Sequence, residues 1–194
     1  DFTVMKHKDA RAARSREALI NSAITLLIMN PKASLKEVAE YAGVGRATLY
    51  RHFETREQLI QEIAQESLDM TDAVMTPIKQ KKLTARLTLE KMFHALMPMA
   101  DRYHFLLSLW SIAEDDELVM ATYQRQLEEL YTIIEQARLE GFVRPELSND
   151  WIMVTIDTMI YSGWWLISEG KCTAQQAANQ AIITLFGGIA NAES

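Results

Sequence analysis

Arg46, Thr48, Tyr50, Arg51 and His52 fall within seven consecutive residues, the densest grouping of side chains able to do chemistry in this sequence. Arginine can grip a guanine edge or a phosphate, while threonine, tyrosine and histidine supply neutral donors to phosphate oxygens. The set suits contact with a nucleic acid rather than covalent chemistry; the alternative is a solvated helix that happens to be polar. Catalytic readings find no support in the spacing. His7, His52, His94 and His104 are scattered, without the HExxH pattern of a metal site. Cys172 is the single cysteine, which excludes an internal disulfide and a multi-cysteine metal site, and it has no obvious histidine partner. No serine sits in a nucleophile elbow, and the nearest approach to a phosphate loop, Gly187-Gly188, lies near a helix end. The sequence therefore points to no enzyme, no cofactor and no metal ion.

The elements that must position this group read as a helix-turn-helix over Ser34–Phe53. Leu35, Val38, Ala39 and Ala42 sit at i, i+3, i+4 and i+7 and give a first helix one apolar face. Ser34 starts it, with Glu37 three residues on as the reciprocal capping partner. Gly43 stands where a left-handed backbone is cheapest for glycine, and Ala39, one turn earlier, is small enough for a second helix to cross closely. Val44 plugs the corner. In a second helix of about seven residues, Leu49 turns inward, as does Phe53 just beyond it; Arg46, Ala47, Thr48, Tyr50, Arg51 and His52 are left for other faces.

The stretch GVGRATLYRHFETREQLI resembles the signature of TetR/AcrR-type one-component transcriptional regulators, in which a glycine turn leads into a helix ending Leu-Tyr-x-His-Phe. Those residues are Leu49, Tyr50, His52 and Phe53, followed by Arg56, Glu57 and Leu59. The resemblance covers roughly residues 10 to 190, sharp in the first fifty and loose afterwards. It implies a DNA-binding regulator, most often a repressor released from its operator by a small, mostly apolar ligand. It further implies that Arg46 and Ala47 lie nearest the base edges. Ser34, Thr48, Tyr50, His52 and Arg56 would meet phosphates, and Arg51 either. Gly45 departs from the usual serine or threonine: it can serve as an N-cap but offers no hydroxyl to a phosphate.

Charge is divided along the chain. Residues 1–56 hold ten basic against six acidic residues, +4, whereas residues 57–194 hold ten against twenty, −10; the whole is −6. Lys6, Lys8, Arg11, Arg14 and Arg16 are expected to form a basic arm ahead of the first helix, suited to phosphate or minor-groove contact. The acidic remainder would repel DNA. No apolar run approaches the roughly 18 residues that span a bilayer, and the polar, basic N-terminal stretch has no signal-peptide pattern. The expectation is a cytoplasmic protein without membrane contact.

The expected fold class is all-α with about nine helices. Residues 1–56 form a three-helix helix-turn-helix DNA-binding domain, joined by a long helix to a ligand-binding and dimerisation domain over residues 57–194. That long helix, capped by Thr55 with Gln58 and ending before Pro77, is the natural mechanical link between the two. Phe93, Met97, Met99, Tyr103, Phe105, Trp110, Met120, Tyr123 and Trp164 are unusually large, soft or aromatic for so short a span and are candidates for a ligand pocket; the alternative is ordinary core. Near the C-terminus, Ile152, Ile156, Met159, Gly163 and Leu166 repeat at spacings of four and three, as do Ala174, Ala178, Ala181, Leu185 and Gly188. Two such helices are read as a homodimer interface, a four-helix bundle with their copies; the alternative is a hairpin buried in its own domain. The expected partners are double-stranded DNA with a near-palindromic operator, a small-molecule effector and a second copy of the chain. The rival of another class is a helical protein-protein interaction module without sequence-specific DNA binding, docking through the apolar C-terminal pair.

Overall fold

The computed structural model describes the backbone of residues 2–189 and the side chains of residues 16–189. Those residues form nine α-helices: α1 (Phe2–Met29), α2 (Leu35–Tyr41), α3 (Arg46–Tyr50), α4 (Arg56–Lys79), α5 (Ala85–Leu96), α6 (Ala100–Ala113), α7 (Glu117–Leu139), α8 (Asn149–Ser168) and α9 (Ala174–Ile189). A 3-10 turn, Met97–Met99, joins α5 to α6, and there is no strand among the described residues. None of the described helices is long and apolar enough to cross a membrane.

Side-chain caps set most of the helix starts. Thr55, Thr84, Asp116 and Ser148 each accept from a backbone N–H in the first turn of α4, α5, α7 and α8. At α9, Thr173 Oγ1 accepts from the Gln176 amide at 3.2 Å while the Gln176 side chain returns to the Thr173 amide at 2.9 Å. Each such cap satisfies a donor that the helix cannot.

The apolar side chains divide into an N-terminal cluster, a C-terminal cluster and a small seam between them. Ile20, Ala23, Ile24 and Leu27 of α1, Leu35, Val38 and Ala39 of α2, and Leu49 and Phe53 are all buried in the N-terminal cluster. Leu59, Ile60 and Ile63 of α4 belong to it too, as do Phe105 and Leu109 of α6. The N-terminal core thus runs beyond residue 56, and two helices rather than one enter both halves. In the intervening seam, Ala64 and Leu68 of α4 meet Leu106, Ala113 and Val119.

Two boundaries differ from the sequence expectation. Pro77 lies inside α4, within its last turn; there the ring costs a single ladder bond and the helix continues to Lys79. The basic positions before Arg16 belong to the first turns of α1 rather than to an arm ahead of it; the side chains of Lys6, Lys8, Arg11 and Arg14 lie outside the described residues. Arg16 itself pairs with Glu62 at 3.5 Å and with Glu66, tying α1 to α4.

Candidate nucleic-acid interface and ligand cavity

The helix-turn-helix is held by short-range signals. Ser34 Oγ accepts from the Glu37 amide at 3.3 Å, and the Glu37 carboxylate takes the Ser34 amide at 2.7 Å, completing a capping box. The Ser34 hydroxyl and amide together hold the Glu37 carboxyl below its ordinary range. Gly43 adopts φ +66°, the left-handed region, and the Val44 amide donates to Ala39 O at 3.0 Å. A side chain at Gly43 would meet no atom but would strain that backbone.

Leu49 and Phe53 are fully buried, so α3 is fixed by one turn of apolar contact. Gly45, Arg46, Ala47, Tyr50, Arg51 and His52 are exposed and Thr48 half-buried, on the surface those two anchors leave free. The regular helix is shorter than expected: five residues, with Arg51 and His52 in the closing turn. Arg46 pairs with Glu40 at 3.2 Å, and Arg51 donates to Thr48 Oγ1 at 3.3 Å; all four residues remain solvent-facing or nearly so. Such surface contacts are weak and give way to a stronger anion.

Arg56 stands apart from this set. Its Nε donates to Ala33 O at 2.8 Å and its Nη2 to Pro31 O, with Glu57 3.8 Å from Nη1. The guanidinium therefore straps the start of α4 to the loop between α1 and α2. Nε and Nη2 are thus engaged by two carbonyls, which gives Arg56 a structural role beside the phosphate contact expected from the resemblance.

Deeper in the molecule, α4, α5, α6, α7 and α8 enclose a cavity of about 320 Å³. Leu68, Thr71, Asp72, Met75 and Lys79 line it from α4, and Met92 and Leu96 from α5. Tyr103, Leu106, Leu107 and Trp110 come from α6, Tyr123, Gln126, Leu127, Glu129, Leu130 and Ile133 from α7, and Asp157 from α8. Of the pocket candidates, Tyr103, Trp110 and Tyr123 line it, with the Trp110 and Tyr123 rings 4.3 Å apart.

The remaining candidates do not. Phe93 and Met99 are C-terminal core, and Phe105 is fully buried in the N-terminal core. Met97 packs onto Gly163, where an added Cβ would collide with its Sδ. Trp164 stacks on His104 at 3.6 Å and 15°, fastening α8 to α6. Burial holds the His104 imidazole below its ordinary pKa. Met120 is half-buried outside the lining. Bulk and softness did not separate these from the lining residues; the direction each faces from its helix does.

Sequence reading missed Asp157. Burial pushes its carboxyl up to about 6. Burial raises the Tyr103 and Tyr123 phenols as well, and the Asp157 charge adds to both. The available signal was an acid in the middle of an otherwise apolar helix, where the only other charged residue is Asp150 in the first turn. Asp72 shows the opposite balance: burial would raise it, but hydrogen bonds from Arg125 and Gln126 outweigh that and lower it.

The C-terminal pair also faces differently from the expectation. Ile152, Ile156, Gly163, Ala178, Ala181 and Leu185 are buried within the chain's own core or against its partner helix, and Met159 and Ala174 are half-buried. The strictly periodic stripe is thus chiefly the intra-chain seam. The outward face carries Trp151, Val154 and Ile183, exposed at 65%, 59% and 73%. A groove beside them is lined by Trp151, Val154, Thr158, Ser162, Gln180 and Thr184, with Met159, Gly163, Leu166 and Ala181 from the expected set.

An exposed helix-turn-helix joined through shared helices to a hollow helical domain defines a two-part DNA-binding regulator. Residues 31–63 match the profile of the family described as bacterial regulatory proteins, tetR family. Over 167 residues it is 25% identical to the HTH-type transcriptional repressor KstR2 of Mycobacterium tuberculosis, covering 80% of this chain and 82% of that protein. Over 176 residues it is 24% identical to the HTH-type transcriptional repressor LfrR of Mycolicibacterium smegmatis, covering 91% and 90%. The solved structure of the ketosteroid transcriptional regulator KstR2 of Mycobacterium tuberculosis shares the fold with a TM-score of 0.78 at 22% identity, over 92% of this chain and 95% of that one. The fold also matches LfrR in complex with proflavine, with a TM-score of 0.68 at 22% identity over 93% and 99%.

Proposed function

We propose that the chain acts as a homodimeric cytoplasmic repressor that leaves a near-palindromic operator when a small, mostly apolar ligand enters the cavity. The N-terminal 56 residues supply the reading head and residues 57–194 the effector and dimerisation domain, with α4 and α6 shared at the junction. Arg46 and Ala47 meet base edges, with Gly45 allowing close backbone approach. Ser34, Thr48, Tyr50 and His52 hold phosphates, and Arg51 serves either. Arg56 acts by fixing the head to α4. The outward faces of α8 and α9, with Trp151, Val154 and Ile183 at their centre and Met159, Gly163 and Ala181 along the groove, pair with those of a second copy. An apolar surface of that kind is otherwise left to water.

The observation that carries this reading is the course of α4. Its first turns bury Leu59, Ile60 and Ile63 under the helix-turn-helix, and its later turns offer Leu68, Thr71 and Met75 to the cavity without a break. A ligand that favours another α4 position must alter the placement of the reading head, and by linkage operator DNA must weaken that ligand to the same degree. Fluorescence anisotropy of the full chain on DNA flanking its own gene, with excess unrelated DNA at two salt concentrations, tests the first half. The expected result is competitor-resistant binding at two or four chains per site. Binding lost equally to competitor and to salt would reduce the interaction to charge attraction.

A further inference from the structure

The cavity is not electrically neutral, and the imbalance has one source. On its α4 and α7 walls, Lys79 Nζ lies 2.6 Å from Glu129, Arg125 lies 2.9 Å from Glu129, and Arg125 also binds Asp72. Two cations there answer two carboxylates. Across the cavity on α8, Asp157 has no hydrogen-bond or ion-pair partner among the described residues. Tyr103 and Tyr123, which line the same cavity, both feel its charge. An unpaired carboxylate in an apolar wall is unfavourable, and that cost is relieved by a cation or a proton.

We propose that the cavity selects a compact, mostly apolar ligand bearing one positive charge, an aromatic amine or ammonium, with Asp157 as its counter-ion and the Trp110–Tyr123 ring pair beside it. The proposal rests on the reading that this cavity is the effector site. A cation over an aromatic face is favoured when both are desolvated, and the rings of Trp110 and Tyr123, tilted by 49°, present two such faces. A neutral ligand would strip water from Asp157 and return nothing; an anion would add repulsion. The volume of about 320 Å³ lies at the small end of ligand sites, which fits a compact ring system rather than a long conjugate.

The test is calorimetric titration of the full chain, free of DNA, at pH 7.5 with three probes: proflavine as cation, acridine as neutral ring and 1-anilinonaphthalene-8-sulfonate as anion. Proflavine is expected to bind most tightly. Asp157→Asn keeps the shape and removes the charge; it should weaken proflavine by about tenfold or more and leave acridine within about threefold. Asp157→Glu should retain the preference for the cation. Leu106→Trp, which fills the cavity, should abolish binding of both proflavine and acridine. If Leu106→Trp leaves proflavine binding intact, the effector-site reading fails and the proposal with it. If Leu106→Trp abolishes binding but Asp157→Asn weakens cation and neutral ring alike, or neither, the site stands and the charge selection is overturned. Tighter binding of the anion, or no binding of proflavine to the unaltered chain, overturns it as well.

Discussion

On α3 and the turn that closes it, Arg46, Tyr50, Arg51 and His52 project into water and contribute little to holding the chain together. Around the cavity, Asp72, Tyr103, Tyr123 and Asp157 sit among leucines and methionines, where each charge or hydroxyl weighs on the stability of the fold. The first set is restrained only by weak surface contacts; in the second, desolvation prevails at Tyr103, Tyr123 and Asp157 and is offset at Asp72 by Arg125 and Gln126. Function at the head can therefore be removed without touching stability, whereas at the cavity the two are coupled.

The largest expected effect tests the head. Tyr50→Ala with Arg46→Ala should cost operator affinity about 2–4 kcal/mol while thermal unfolding stays unchanged. Separately, Tyr50→Ala should weaken all DNA sequences alike, whereas Arg46→Ala should relax discrimination at one base position by about 1–3 kcal/mol. A lowered melting temperature in either variant would erase the contrast between the two regions.

Next in size is Arg56, which belongs to the head by sequence and to the scaffold by contact. Arg56→Ala should destabilise the fold by about 1–3 kcal/mol through two carbonyls left without their donor. Arg56→Lys keeps the charge but not the fork, and should recover only part of that loss. Full recovery of both stability and DNA binding by lysine would return Arg56 to the phosphate-binding set.

Asp157 sharpens the contrast from the cavity side. Its carboxyl titrates at about 6 against an ordinary 3.8, so the folded chain holds this proton more tightly than the unfolded one. The associated stability is fully present below pH 3.8 and is lost as pH rises through about 6. It amounts to at most about 3 kcal/mol, nearer 1–2 once screening of a half-buried group is included. The difference in unfolding free energy between the unaltered chain and Asp157→Asn, followed from about pH 4 to 7, isolates it from Asp72, whose shift has the opposite sign. A flat difference would put Asp157 in the same class as the surface residues of the head.

Gly45→Ser is the smallest change. An added Cβ meets only Thr48 Oγ1 at 3.8 Å, an ordinary contact, and φ is −64°. Serine should stabilise α3 by a few tenths of a kcal/mol as an N-cap and tighten DNA binding several-fold, equally on all sequences. Sequence-dependent tightening would show that position 45 reads bases.

How far the sequence revealed each region follows the same division. The capping box at Ser34 and Glu37, the glycine at 43 and the inward pair Leu49 and Phe53 are signals within a few residues of one another, so the head was readable locally. α6 was not. Tyr103, Phe105, Leu106, Leu107, Leu109 and Trp110 wrap most of its circumference, so periodicity could not say that Phe105 enters the N-terminal core while Tyr103 faces the cavity. The backbone at Leu109, φ −124°, ψ 17°, also breaks the helical register that such a reading assumes. In α8 the outward face carries Trp151, Val154 and Trp165 as well, so apolar residues alone could not say which stripe faces inward; the more regular stripe of α8 and α9 belonged to the chain's own interior.

The Arg56 strap has a geometric consequence. From Met75 at the cavity to Arg56 at the head is about 28 Å along the axis of α4, at about 1.5 Å per residue. A tilt of about 5° pivoting near Met75 would carry Arg56 sideways by about 2–3 Å over that length. Because Arg56 grips Pro31 and Ala33, the loop before α2 travels with it instead of slipping past. In the proposed mechanism the helix would act as a lever with a bolted end, carrying a displacement too small to reshape the cavity to the loop before α2.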